Sequence, residues 1–590
     1  MKTVEQTITD VEHARWVVDK AGIGALLDAN SRRSNRGRKR EGLDGRLFMI
    51  LLIAAAMQGR ATIQRMWEIA TGQLPRGLQW ELGVLRKDGN TVAQLTPKQL
   101  YDMGSALNKH LAWTGPLASS LSEEECLRRE RVVAAIADAL TVTTHVVARS
   151  GSALAVDESG VWAWTRGRRK PVDAPPVHPS DEDEQRSGRP LAASAVEGSV
   201  PVEALDHEPV DEDYVKEVPT VASDSRGPSE ARVEAPASKA RRFDPDAKWG
   251  VKTHKDGGRT SYFGYALHTL VRIPDVGQTK DASAEPLFVE RFRLTPASTD
   301  IVDVTVGMID DVLAAGVEVG DLIGDRHYSY KKAERWALPL WKRGVRLVHD
   351  LRKDDHGAVD YEGSKIIAGW PHCPGTPSHL EVLLRPGSTG TKAEIDTFRS
   401  QIDERFKFAM RRHKTVLGDG KSRWGCPALN GKVGCPFIDG TVEVARETGQ
   451  PIVVPPAAKT PFCKQTTVQI PPGRHMKYAQ EEYWGDGRWE PSWDRRTYVE
   501  GVYGNLKNPN TENIHRGFFQ FTGLPMVTLA MAAAVASYNI RELNNWHERT
   551  GLGDAEHPLL ASTQWVDGLT MLTRQQADDV DAAYGEQRAA

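Results

Sequence analysis

A chain of 590 residues is long enough to bury several cores and to hold more than one domain. Its 76 Lys and Arg nearly balance 79 Asp and Glu, so net charge alone neither marks nor excludes a nucleic-acid partner. Five cysteines in this length exclude a disulfide scaffold and point to a reducing compartment, the cytoplasm. The N-terminal stretch MKTVEQTITDVEHARW is charged throughout and lacks the apolar run of a signal peptide. The longest apolar runs, at 47–57 and 526–536, are too short to span a bilayer and read as buried helices.

Residues 1–148 read as a helical domain, with candidate helices at 8–28, 44–57, 60–72, 97–112 and 122–140. Thr96 with Gln99 and Ser122 with Glu125 have the spacing of capping boxes. The stretch SRRSNRGRKR (31–40) concentrates positive charge, with Arg36, Arg38, Lys39 and Arg40 at its end. Two readings stand open: a solvated loop, or an arm that grips phosphates and makes this a DNA-binding domain.

ALAVDESGVWAWTRG (153–167) is strand-like through Val156 and again through Trp164. Residues 171–243 are rich in Pro, Ser and acids, cannot bury enough apolar surface to offset ordering entropy, and read as a disordered insertion. Strand spacing returns in YFGYALHTLVRI (262–273) and PLFVERFRLTP (286–296). Helical spacing follows at 300–317, then a strand at DLIGD, a helix, and a strand at VRLVHDL. The order β, insertion, β, β, α, β, α, β predicts a ribonuclease H-like α/β core, a mixed sheet flanked by helices. That core covers 149–350 and 490–546. On this plan Asp157 and Asp325 leave the ends of neighbouring strands. Asp325, in VGDLIGDRHYSYKKAERW, taken alone reads first as a helix cap, and its placement beside Asp157 turns the reading toward a metal ligand.

A third acid is sought in SWDRRTYVEGVYGNLKN (492–508). As one helix it buries Val499, Val502, Tyr503 and Leu506, and sets Trp493, Arg496, Glu500 and Lys507 along the margin of that face. Spacing leaves open a plain Arg496–Glu500 surface pair.

These segments together resemble the DDE transposases of bacterial insertion sequences with the signature Tyr-x2-Arg-x3-Glu-x6-Lys. Arg496, Glu500 and Lys507 match that spacing, and Trp493 stands where the family has tyrosine. AVDES resembles the motif of the first aspartate, LTPASTDIVD the stretch before the second, and IGDRHYS the Asp-Arg-Gly-Tyr motif, with His327 in place of its glycine. The likeness covers roughly 150–350 and 485–545. It implies that Asp157, Asp325 and Glu500 hold two Mg2+ ions, for which Mn2+ can substitute. It also implies that Arg496, Lys507 and Trp493 contact the DNA of the element's ends. The implied partners are double-stranded DNA and a second copy of the chain when two ends are synapsed, in the nucleoid. The implied reaction is cleavage at the ends and transfer of the 3′ ends to target DNA. A silent DNA-binding descendant, or a nuclease that does not join strands, is the alternative.

Residues 351–489 form an insertion that carries Cys373, Cys426, Cys435 and Cys463, three of them followed by proline. Four thiolates suit a structural Zn2+, with His372 as a substitute ligand, although the spacing matches no short zinc motif; buried apolar cysteines are the other reading. A helix at 524–543 is expected to close the core, and 547–590 to be a polar tail.

Overall fold

The computed structural model describes residues 2–31, 43–88, 90–165, 244–253, 258–277, 285–352, 355–387, 389–416, 421–473 and 478–561. The chain divides into two units, Met1–Gly167 with Phe243–Ala590, and Arg168–Arg242. Described residues belong to the first unit. The basic stretch with Arg36, Arg38, Lys39 and Arg40 and the insertion expected at 171–243 lie outside them, as does 562–590.

The N-terminal region holds α1 (Val4–Ala21), α2 (Gly24–Ser31), α3 (Gly45–Ala56), α4 (Ile63–Glu68), α5 (Arg76–Leu82), α6 (Pro97–Leu111) and α7 (Glu123–Thr143). Thr96 and Gln99 close the expected capping box at α6. At α7 half a box forms: Ser122 accepts from the Glu125 amide, but the Glu125 carboxylate turns to Arg128 and Arg129. The region is not wholly helical. Strands β1 (Leu85–Asp88) and β2 (Thr91–Gln94) pair as a hairpin, whose Asp-Gly turn signal the helical reading passed over.

One mixed sheet organises the molecule. It comprises β3 (Leu154–Trp162), β4 (Lys248–Thr253), β5 (Arg259–Arg272), β6 (Val289–Pro296), β7 (Asp321–Gly324) and β8 (Arg346–Val348). The order is β4-β5-β3-β7-β8, with β4 on the first half of β5 and β6 on its second half. Pairing is antiparallel from β6 to β3 and parallel from β3 through β8. On one face Leu154, Val156 and Leu270 meet α8 (Ile301–Ala314), the single turn α9 (Arg326–Ser329) and α10 (Ala337–Lys342). The strand period of two sends Ala155, Leu267 and Val271 to the other face.

The insertion follows: β9 (Ala358–Tyr361), β10 (Ser364–Ile367) and β11 (Trp370–His372) form one small sheet. After α11 (Lys392–Phe408) a second forms from β12 (Arg411–Val416), β13 (Ser422–Gly425) and β14 (Thr467–Ile470), with α12 (Thr441–Thr448) and α13 (Pro461–Gln465) between β13 and β14. Ile366, Leu380, Met410, Trp424, Phe462 and Ile470 belong to a separate core there.

The chain then returns to the sheet. The helix expected at 492–508 is two helices, α14 (Trp489–Asp494) and α15 (Thr497–Lys507). The joint is tightened by three-residue hydrogen bonds, from Arg496 to Trp493 (3.0 Å) and from Val499 to Arg496 (3.2 Å). It turns Arg495 inward, onto Asp321 of β7 at 2.7 Å. The last helix, α16 (Leu524–Thr550), runs past the expected end at 543. Leu559 beyond it is buried, and its carbonyl accepts from the Asn544 side chain (3.0 Å), so the start of the expected tail is part of the core.

Both long apolar runs are buried helices, α3 and α16, and they pack on one another. Through α7, α16 and β6 the N-terminal helices share one apolar core with the sheet, so residue 148 does not separate two cores. No helix among the described residues is long and apolar enough to cross a membrane.

Asp244 and Asp246 fasten α16 to the sheet. The Gly523 amide donates to Asp244 (3.1 Å) and the Leu524 amide to Asp246 (2.8 Å), while Tyr265 Oη and Thr114 Oγ1 donate to the same two carboxylates. Asp244→Ala strands a buried amide and a buried hydroxyl, at a cost of about 1–3 kcal/mol. Urea unfolding measures this; a loss under about 0.5 kcal/mol would show that the cap is incidental.

Candidate active site

The site begins where β7 stops. Residues 154–156 of β3 pair with 322–324 of β7, the last pair being Val156 with Gly324. The next residues on the two strands are Asp157 and Asp325. β3 continues to Trp162, still paired with β5, but its other edge is bare beyond Val156. Strand pairing ends here, and the gap it leaves at the carboxyl end of the parallel strands, the crevice, is where open α/β sheets bind ligands. Gly324 is required for closeness: a Cβ there would stand 3.0 Å from the buried ring of Tyr328, which packs beneath the two acids.

Asp325 caps α9, its carboxylate accepting from the His327 amide at 2.8 Å. The cap is therefore real, and it fixes the carboxylate at the mouth of the crevice. Asp157 accepts from the Glu158 amide (2.8 Å). Arg326 beside it is held by buried Asp350 at 2.6 Å, and Asp350 also accepts from Trp484 Nε1 (2.9 Å).

Tyr503 brings in the third acid. Its hydroxyl lies 2.9 Å from the Asp157 carbonyl and 2.8 Å from the Leu267 carbonyl, and accepts from Thr269 Oγ1 (2.9 Å). One side chain thus ties α15 to both central strands. Lys507 adds a bond to Ser159 Oγ, two residues along the same face of β3 (2.6 Å). Glu500, one turn before Tyr503, is half-exposed and ion-paired with Arg496.

Arg496 is itself positioned by aromatics. Its guanidinium lies 5.3 Å from the Trp493 ring, which stacks on Trp489 (5.7 Å, 9° between planes), and Arg385 covers Trp489 at 5.3 Å. Trp493 is buried, so its face meets Arg496 rather than solvent. The arginine therefore has a fixed seat without a tyrosine hydroxyl.

The three acids act on one another. Burial, then Asp325 and then Glu500 push the Asp157 carboxyl up to about 7, against the opposing pull of the Glu158 amide and Arg496. Mutual repulsion of this kind is what a divalent cation relieves, and carboxylate oxygens are hard donors suited to Mg2+. The donor chemistry fits that ion. As the side chains stand, no three His, Cys, Asp or Glu among the described residues are gathered closely enough to hold a metal; Glu500 is drawn aside by Arg496.

Sequence reasoning missed the opposite face of β3. Glu158 is pushed up to about 7 by burial and Asp325, and it stands 3.8 Å from His268, which burial holds down to about 4. His268 also bonds Thr295 Oγ1 (2.9 Å). The only available signal was strand alternation, which sends Glu158 and Asp157 to opposite faces.

His372 is not placed as a ligand: its two nitrogens are bonded to the Trp370 carbonyl (2.7 Å) and to Tyr483 Oη (2.8 Å). Comparison with family models, curated proteins and solved structures gives no match.

Without a divalent ion, the raised carboxyl of Asp157 makes the folded state hold a proton that the unfolded chain releases near pH 4. The sign is fixed: between about pH 4 and about 7 the native state binds more protons, so stability falls as pH rises. Glu158 contributes in the same direction. Urea unfolding across this window should show that Asp157→Asn flattens the slope in part. An unaltered slope would mean that Asp157 titrates as an ordinary surface acid.

Proposed function

We propose that the protein is a DDE transposase that cleaves DNA at the ends of an insertion sequence and joins the 3′ ends to target DNA. The observation that carries this reading is the pair of aspartates that follow adjacent parallel strands, with Tyr503 tying the helix that bears Glu500 to the strand of Asp157. The strand order β6-β5-β3-β7-β8, three antiparallel and then two parallel, supports a ribonuclease H-like core. Arg496, Glu500 and Lys507 at the signature spacing supply the family resemblance.

On this reading Asp157, Asp325 and Glu500 hold Mg2+, or Mn2+ in its place. Bound there, the ions supply Lewis acidity to an in-line displacement at phosphorus. The chain's own part is placement. The two aspartates are rigid, one in a strand and one in a cap. Glu500 must leave Arg496 to join them, and the released guanidinium then faces a phosphate, for which its planar fork is suited. Lys507 lies beyond Asp157 along β3, where a point charge meets the next stretch of the DNA backbone. Trp493 serves DNA through Arg496 rather than by touching it. Synapsis of two ends calls for a second copy of the chain.

Asp157→Ala, Asp325→Ala and Glu500→Ala should each lower cleavage of an end fragment to below about one-hundredth of the parental rate, with binding of that fragment retained. Joining of a labelled end to a plasmid is the companion assay. Parental-rate cleavage by Glu500→Ala would remove the third acid from the site. Cleavage without joining by the parental protein would make it a nuclease, and binding without either a silent relative.

A further inference from the structure

The insertion gathers four of the chain's five cysteines in one place. Cys373 follows β11 directly, Cys426 follows β13 directly, and Cys463 sits in α13 just ahead of β14. Cys435 lies in the loop between β13 and α12. The backbone stitches these points together pairwise. The Cys426 amide donates to the Thr466 carbonyl (2.9 Å), joining it to the end of the helix that carries Cys463. Gly434, beside Cys435, exchanges hydrogen bonds with Pro451 and Val453 (2.9 and 2.8 Å). Val453 in turn packs so closely on Gly375 that a Cβ there would lie 2.3 Å from it, which brings in the loop of Cys373.

The four side chains share one core with Met410, Trp424, Phe462 and Ile470, three of them buried and Cys463 half-buried. Cys126, on α7, is outside that core. Two of the four begin similar turns: Thr376 bonds back to the Cys373 carbonyl and Ile438 to the Cys435 carbonyl, each at 3.0 Å. A donor also faces sulfur: Thr460 Oγ1 lies 3.3 Å from Cys463 Sγ. Such a contact orients a sulfur as outer contacts orient metal ligands.

Core filling accounts for buried cysteines singly; a shared ligand accounts as well for four of the chain's five meeting in one core from segments up to ninety residues apart. The two sheets here are three-stranded and their strands run three to six residues, a size at which a small core commonly needs a staple. We infer that Cys373, Cys426, Cys435 and Cys463 form one structural Zn2+ site that clamps the β9–β11 sheet to the β12–β14 sheet. The acid site plays no part in it. As they stand, the sulfurs are not drawn to a common point at ligand distance. Coordination at a Zn–S distance of about 2.3 Å closes them further.

The test uses the full chain, without a polyhistidine tag, purified with no metal added. Elemental analysis should find about one zinc per chain, unchanged in Asp157→Ala. With the protein native, Cys126 alone should react with a maleimide; a mercurial should then bond to four more cysteine sulfurs as it releases the zinc. Cobalt loading should give the charge-transfer absorption of thiolate ligands. Cysteine variants that fail to fold do not affect this reading, because every measurement is made on intact cysteines. Zinc-free protein, zinc lost with Asp157→Ala, or five thiols that react while zinc stays bound would each overturn the site.

Discussion

The candidate chemistry depends on where one pair of parallel strands stops pairing. β7 ends at Gly324 while β3 runs on to Trp162, so backbone that pairs with β7 at Val156 is released from that pairing at Asp157. Had the two strands ended together, their acids would have emerged into a turn. Because they end at different lengths, one acid is held in a continuing strand and the other in a helix cap. Neither can swing far. The crevice is therefore a consequence of register before it is a consequence of side chains.

Everything else near the crevice secures that register or brings groups to it. Arg495 reaches from the joint between α14 and α15 to Asp321 at the start of β7, and Asp321 also accepts from Arg346 of β8 (2.7 Å). Tyr503 bonds to β3 and β5 at once. The stacked Trp489 and Trp493 give Arg496 a platform. On the proposed reading, this accounts for tryptophan where the transposase signature has tyrosine. A ring with a larger face binds the guanidinium by its quadrupole, and no hydroxyl is needed. Glu500 is half-exposed and pairs with Arg496 at the cap of α15.

Much of this was legible in the sequence, for identifiable reasons. The aromatic and β-branched run 262–273 became β5, buried on both faces from Tyr262 onward, and the helical period in 300–317 became α8, which buries one face. The apolar runs of α3 and α16 were legible because a helix apolar on all sides has to be buried. Other features were not legible. The hairpin β1–β2 is four residues a side, too short for a period to declare itself. Strand β4, KWGVKT, carries little apolar signal because it covers only the first half of β5. The break before α15 accompanies the buried pair of Arg495 with Asp321, which are 174 residues apart in sequence, and no local pattern records such a contact. For the same reason the spacing of the cysteines could not foretell that they share one core.

The central claim is that Asp157, Asp325 and Glu500 form one divalent-cation site, and Mn2+ titration followed by electron paramagnetic resonance tests it most directly. The account predicts saturable Mn2+ binding to the parental protein, competed by Mg2+. It further predicts that Asp157→Asn and Asp325→Asn each weaken that binding strongly, and that Glu500→Gln weakens it less, since Glu500 must first leave Arg496. Mn2+ binding that is the same in the parent and in both aspartate variants would contradict it.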